Sequence, residues 1–145
     1  MFVSGYNPDA PARLTVANAP AGHDVRVLAE MAARSQGRGH IHVALDDVRA
    51  ATMADALAFF APSLEIVSFP AWDCLPYDRI SPHSDVSSDR ISALSRLRRA
   101  FDRPCLILTT VNALVQRTLP PEVLQHASIE AGVGDSLPIE KLRAF

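Results

Sequence analysis

Apolar residues recur along this chain in two alternating rhythms: steps of three and four residues in some segments, short unbroken runs in others. After an irregular leader over residues 1–12, punctuated by Gly5, Asn7, Pro8 and Pro11, residues 13–17 read as a short strand. The turn Asn18-Ala19-Pro20-Ala21-Gly22 follows. Val25, Leu28, Ala29 and Ala32 then recur at helical spacing, with Asp24 as cap or first-turn acid, until Gly37-Arg38-Gly39 ends the pattern. Residues 41–45, Ile-His-Val-Ala-Leu, predict a buried strand. Asp46 or Asp47 is placed to cap the next helix, whose Val48, Ala51, Met53, Ala54, Leu57, Ala58 and Phe60 cover a broad apolar face before Pro62 stops it.

A third strand is predicted over 64–69, and after a long connection a helix opened by Ser87 or Ser88 carries Ile91, Leu94, Leu97 and Phe101 as a core-facing stripe. Residues 105–110, Cys-Leu-Ile-Leu-Thr-Thr, are the clearest strand, and 111–118 read as a short helix ended by Pro120-Pro121. The tail predicts a helix at 122–125, a strand at 127–130 and a helix from Pro138. Ile139, Leu142 and Phe145 begin an apolar stripe that runs into the last residue, which leads us to expect a longer protein. This alternation predicts a single α/β domain over 13–145, with a mostly parallel sheet covered by helices on both faces.

The connection within 69–90 is the most particular segment. Three prolines break a polar and aromatic run that contains Trp72, Tyr77 and Ile80. Long connections without repeating structure are uncommon inside compact domains and are either functional or disordered, and the aromatic content argues for order. We expect Trp72 and Tyr77 to pack against the sheet end or the following helix.

Composition narrows the classes. With 145 residues and 48% hydrophobic content the chain can bury roughly two-thirds of its unfolded surface. No apolar run approaches the length of a membrane span, and a secretory signal is lacking at the amino terminus. Two cysteines, Cys74 and Cys105, read as a loop thiol and a buried strand residue, which fits a cytoplasmic protein. A net charge of −2 lacks the footprint of a domain that grips nucleic acid through phosphates. Arg90, Arg96, Arg98, Arg99 and Arg103 read as the solvated face and basic carboxyl end of a helix.

The turn at 18–25 is where an α/β domain of this kind would hold a phosphate, on converging backbone N–H groups at a helix start. A nucleotide-binding loop needs Gly-x-x-x-x-Gly-Lys-Ser/Thr. Here Asn18, Gly22, His23 and Asp24 form a degenerate version: Pro20 removes a donor, Asp24 repels phosphate, and the only lysine is Lys141. No ATPase site is expected. Ser81, His83 and Asp85 invite a hydrolase reading with His83 as base, but lie too close in sequence for triad geometry and lack a nucleophile elbow. Asp78, His83, Asp85 and Asp89 match no zinc or calcium spacing. His23, His40, His42 and His126 read as surface or internally satisfied histidines. A third reading is DNA binding through residues 90–103.

Leu75-Pro76-Tyr77-Asp78, then Ser81-Pro82-His83, then the segment from Ser87 to Leu94 containing Arg90, resemble the amino-terminal domain of the bacterial transcription-repair coupling factor (Mfd) family. Residues 109–117, and Gly134-Asp135 with 137–142, look like two further segments of that family, so the resemblance covers the chain from about residue 13. It implies a degenerate helicase-like, P-loop NTPase-like lobe similar to the first lobe of the excision-nuclease protein UvrB, without the nucleotide site. It also implies a full-length protein that uses ATP and magnesium to translocate on DNA, displaces stalled RNA polymerase and recruits the damage-recognition protein of the excision nuclease (UvrA). This chain would supply a scaffold that contacts other domains of the same protein. Trp72, Leu75, Pro76, Tyr77, Asp78, Ser81, Pro82, His83 and Arg90 are the motif and interaction candidates.

Overall fold

The computed structural model describes residues 22–34, 38–74 and 81–126, with shorter pieces at 15, 17, 18, 20, 79, 133, 134, 136 and 138–140. Its elements are α1 (His23–Ala33), β1 (Gly39–Ala44), α2 (Asp47–Phe60), β2 (Glu65–Phe69), α3 (Ser84–Leu97), β3 (Cys105–Thr110), α4 (Val111–Val115) and α5 (Pro121–His126). The described strands form one parallel sheet in the order β1-β3-β2, so β3, the last of them in sequence, occupies the centre.

β3 is buried at every position, as a parallel strand covered on both faces must be. Its alternate residues feed two cores. Leu106 and Leu108 face α1 and α2, packing with Val25, Ala32, Met53 and Leu57. Cys105 and Ile107 face the other side, with Val67 and Phe69 of β2, Ala93 of α3 and Ala113 of α4. Among the described residues no helix is long and apolar enough to cross a membrane.

Several expectations need correction. The strand read at 41–45 starts at Gly39 and is not buried throughout: Ile41 and Val43 remain 66% and 39% exposed. Residues paired in register share a face, so His40 and His42 lie with Leu106 and Leu108 toward α2 while Ile41 and Val43 point the other way. On that side α3 packs over β2 and α4 over β3, and among the described residues no helix covers Ile41 and Val43 of β1. Gly39 sits in close packing: a Cβ there would lie 2.9 Å from Cε2 of Phe101, so the ring would have to shift to admit one.

In α2 the cap is Asp46, whose carboxylate accepts from Arg49 N–H at 2.7 Å. The broad apolar face is buried only along Met53 and Leu57. Phe59 and Phe60 stand 80% and 70% exposed, their rings edge to face with centroids 5.0 Å apart.

α3 begins at Ser84, ahead of the expected Ser87 or Ser88. Its start is fixed from a distance: the Asp73 carboxylate accepts from His83 N–H at 3.2 and 3.3 Å. The buried line is also rotated from the expected stripe. Arg90 and Ala93 are buried and Leu94 is half-buried, whereas Ile91 and Leu97 are exposed and Phe101 lies beyond the helix.

α4 ends at Val115, not at 118, because Gln116 turns to extended backbone. α5 agrees closely with the helix read at 122–125. Thr15 and Ala17 are not in a strand, and the rest of 13–17 lies outside the described residues, as do the leader and the strand read at 127–130. Of the last predicted helix Pro138, Ile139 and Glu140 are described, and the last two are helical.

Candidate functional site

Two places bear on function: the turn before α1 and the crevice at the carboxyl ends of β2 and β3. At the turn, Gly22 is the residue before α1 and has φ +82°, a left-handed conformation that glycine adopts without cost. His23 N–H donates to the Pro20 carbonyl at 3.0 Å. Asp24 occupies the first turn, accepts from Val25 N–H at 3.0 Å and forms an ion pair with Arg49 of α2. The N-terminal positive end of α1 thus already faces a carboxylate, and that carboxylate has its own arginine.

Near the crevice, residues 69–72 at the end of β2 and the start of the connection gather around Arg90. This residue, read as part of a solvated basic face, is 1% exposed. Its guanidinium lies 4.3 Å from the Phe69 ring centroid and 4.4 Å from that of Trp72. It donates to the Pro70 carbonyl at 2.5 Å, to Gln116 Oε1 at 3.4 Å and to the Arg117 carbonyl at 3.5 Å. Burial pulls its pKa below the ordinary arginine value. Gln116 Oε1 also accepts from Trp72 N–H at 2.7 Å, so one side-chain oxygen ties the connection to α3 and to the exit from α4. Neither Asp73 nor Gln116 was singled out from sequence. The signal available was a polar residue adjoining a proline-broken aromatic run.

The remaining arginines are partly committed as well. Arg96 grips Glu65 through two nitrogens, Nε to Oε1 and Nη2 to Oε2 at 2.8 Å, and Arg103 approaches the same carboxylate at 3.5 Å. The guanidinium of Arg96 holds the Glu65 carboxyl below its ordinary range. With Arg90 buried and Arg96 bound to Glu65, the stretch 90–103 does not present a continuous basic face.

Ser81, His83 and Asp85 are exposed, and no described hydrogen bond joins them. His83 acts through its backbone, accepting from Ser87 Oγ at 3.2 Å, while Ser84 Oγ lies 3.3 Å from Asp85. Pro82 is half-buried. Leu75, Pro76, Tyr77 and Asp78 lie outside the described residues. Among those described, no group of three or more His, Cys, Asp or Glu side chains could hold a metal ion. His40 departs from expectation: its Nε2 is buried with no hydrogen-bond partner among the described residues.

The crevice has a volume of about 360 Å³ and is walled by the ends of β2 and β3, the first turns of α2 and the connection at 70–73. This is the usual ligand position in an open α/β sheet.

No model of a known protein family matches the chain. Curated relatives do. A transcription-repair-coupling factor of Haemophilus influenzae is 32% identical over 147 aligned residues, covering 99% of this chain and 12% of the relative. Those of Escherichia coli and Myxococcus xanthus are each 32% identical, covering 81% and 69% of this chain and 10% and 9% of their own lengths. The chain belongs to the transcription-repair-coupling factor family. It spans about a tenth of the length of the relatives it matches.

Within that family assignment, the Arg90 cluster gives the recognition segment a structural content. Trp72 and Arg90, two of the candidate residues named from the sequence, are in contact. Their neighbours Pro82 and His83 lead directly into the α3 cap.

Proposed function

We propose that this chain is a scaffold lobe of a transcription-repair-coupling factor, similar to the first lobe of UvrB, with no ATPase site of its own. One observation carries the reading: Asp24, paired with Arg49, stands in the first turn of α1 where a nucleotide-binding loop would place its phosphate ligands. Pro20 withholds an N–H, and the turn has no lysine. These residues do not fit a triphosphate.

The lobe acts through protein contacts with other domains of the same protein, and its uncovered apolar residues, Ile41, Val43, Phe59 and Phe60 among them, favour this role. ATP-driven translocation on DNA, displacement of stalled RNA polymerase and recruitment of UvrA fall to regions mostly outside this chain, which supplies the supporting scaffold.

The test is a fluorescence titration of the 145-residue chain with a labelled ATP analogue and magnesium. No saturable binding is expected up to millimolar nucleotide. Tight binding that disappears when residues 18–25 are changed would overturn the reading.

A further inference from the structure

We propose that the crevice at the carboxyl ends of β2 and β3 is a docking site for an arginine-bearing segment of another polypeptide. This goes beyond the scaffold reading and stands on different residues from the turn before α1.

The argument begins with what the crevice lacks. Ligand pockets in open α/β sheets sit at this position, often against a helix N-terminus that attracts anions. Here the helix is α2, and its positive end is already answered twice. Asp46 accepts from Arg49 N–H, and Asp47 stands as the first helical residue on the crevice wall. Asp73 adds a second carboxylate from the connection. None of the described lining residues is basic. Arg90, the nearest buried cation, is stacked on Phe69 and Trp72 and already hydrogen-bonded to Pro70, Gln116 and Arg117. The charge complement of this crevice is therefore a cation.

The remaining wall selects the kind of cation. Phe69, Trp72 and Leu108 contribute apolar surface to the same crevice. A long side chain whose stem is apolar and whose tip is charged matches such a wall. No described hydrogen bond uses the Asp47 carboxylate. Asp73 gives both oxygens to one backbone N–H, which leaves acceptor capacity on each. Two carboxylates in one partly apolar crevice suit the planar, five-donor fork of arginine better than the compact ammonium of lysine. The volume of about 360 Å³ lies at the small end of the range for ligand pockets, enough for an anchoring side chain and its neighbours. Arginine is also among the residues that dominate interface energetics.

The chain carries its own reporter, since Trp72 is its single tryptophan and lines the crevice. The 145-residue chain is titrated at low salt with acetyl-Leu-Arg-Leu-amide, with the same peptide carrying citrulline for arginine, and with ATP, reading Trp72 emission. The arginine peptide should give a saturable change that weakens as salt is added. The citrulline peptide should bind about tenfold more weakly, the loss of one charge-assisted pair. Asp47→Asn should weaken the arginine peptide by about threefold to tenfold with the circular dichroism spectrum unchanged. Ala51→Phe, which fills the slot from α2, should abolish the response. Equal responses to arginine and citrulline, no response to either, or indifference to both substitutions overturns the proposal. A response to ATP alone that Ala51→Phe removes also overturns it, and leaves the reading of the turn before α1 to its own test at residues 18–25.

Discussion

The guanidinium of Arg90 lies 4.4 Å from the ring centroid of Trp72, across a connection of seventeen residues between them. That contact, with Phe69 on the same cation, makes a buried arginine the organising residue of the segment after β2. Truncation in Arg90→Ala removes two cation–π contacts and three hydrogen bonds to acceptors that are hard to rehydrate. We expect a loss of about 2–4 kcal/mol in urea unfolding, with a red shift of Trp72 emission. Arg90→Lys should recover less than half of it, because a lysine cannot reproduce the fork. Full recovery by lysine would show that charge alone matters. A cycle with Gln116→Leu should give a coupling of about 0.5–1.5 kcal/mol, since Arg90 and the Trp72 N–H share the Gln116 oxygen.

Gly39→Ala should lower stability by about 1 kcal/mol, the added methyl meeting Phe101 Cε2 at 2.9 Å and Ile107 Cδ1 at 3.2 Å. Phe101→Leu in the same chain should restore part of that loss. Denaturant midpoints of the two variants decide the matter: a stabilised Gly39→Ala chain would mean that the ring moves aside freely and that the gain in unfolded-state entropy wins.

His40 and His42 lie on the α2 side of β1, and burial pulls both imidazoles below the ordinary 6.5. The Met31 carbonyl opposes this for His40. For His42, Asp24 opposes it and Arg49 adds to it. The unfolded chain therefore takes up protons before the folded one as the pH drops. Stability should be at its plateau above about 6.5, decline below it, and level off once the folded imidazoles are charged. Thermal melts across this window should show the decline, and His40→Gln with His42→Gln should flatten it.

Glu65 behaves in the opposite sense. Arg96, chiefly by hydrogen bonding, holds its carboxyl below the ordinary 4.5, so its contribution is present above 4.5 and disappears as the pH falls through the folded value. Glu65→Gln should lower the melting temperature at neutral pH and lose much less on further acidification than the unchanged chain. Identical acid profiles for the two proteins would contradict the pairing.

The sheet was legible in the sequence because β3 is apolar on both faces and its neighbours are flanked by turns and helix caps. What could not be read was which face of each amphipathic segment wins. In α3 the more hydrophobic line through Ile91 and Leu97 is exposed, while Arg90 is buried, since Phe69 and Trp72 offer a cation two aromatic faces. Periodicity counts apolar atoms and is blind to that exchange. The same limit hid the exposed side of β1, because a strand's burial depends on its place in the sheet order, which local pattern does not reveal. For the candidate sites, the proposal of a degenerate turn rests on residue types at 18–25, to which the structure adds the Asp24 pairing with Arg49. The crevice was unreadable: its walls come from separate segments that only the crossovers bring together.

The cap that Asp73 places on His83 has a kinetic corollary. A helix whose first turn is held by a side chain ten positions earlier in the chain cannot fray by itself. Amide exchange at the start of α3 should therefore track that of Trp72, the two regions opening as one cooperative unit.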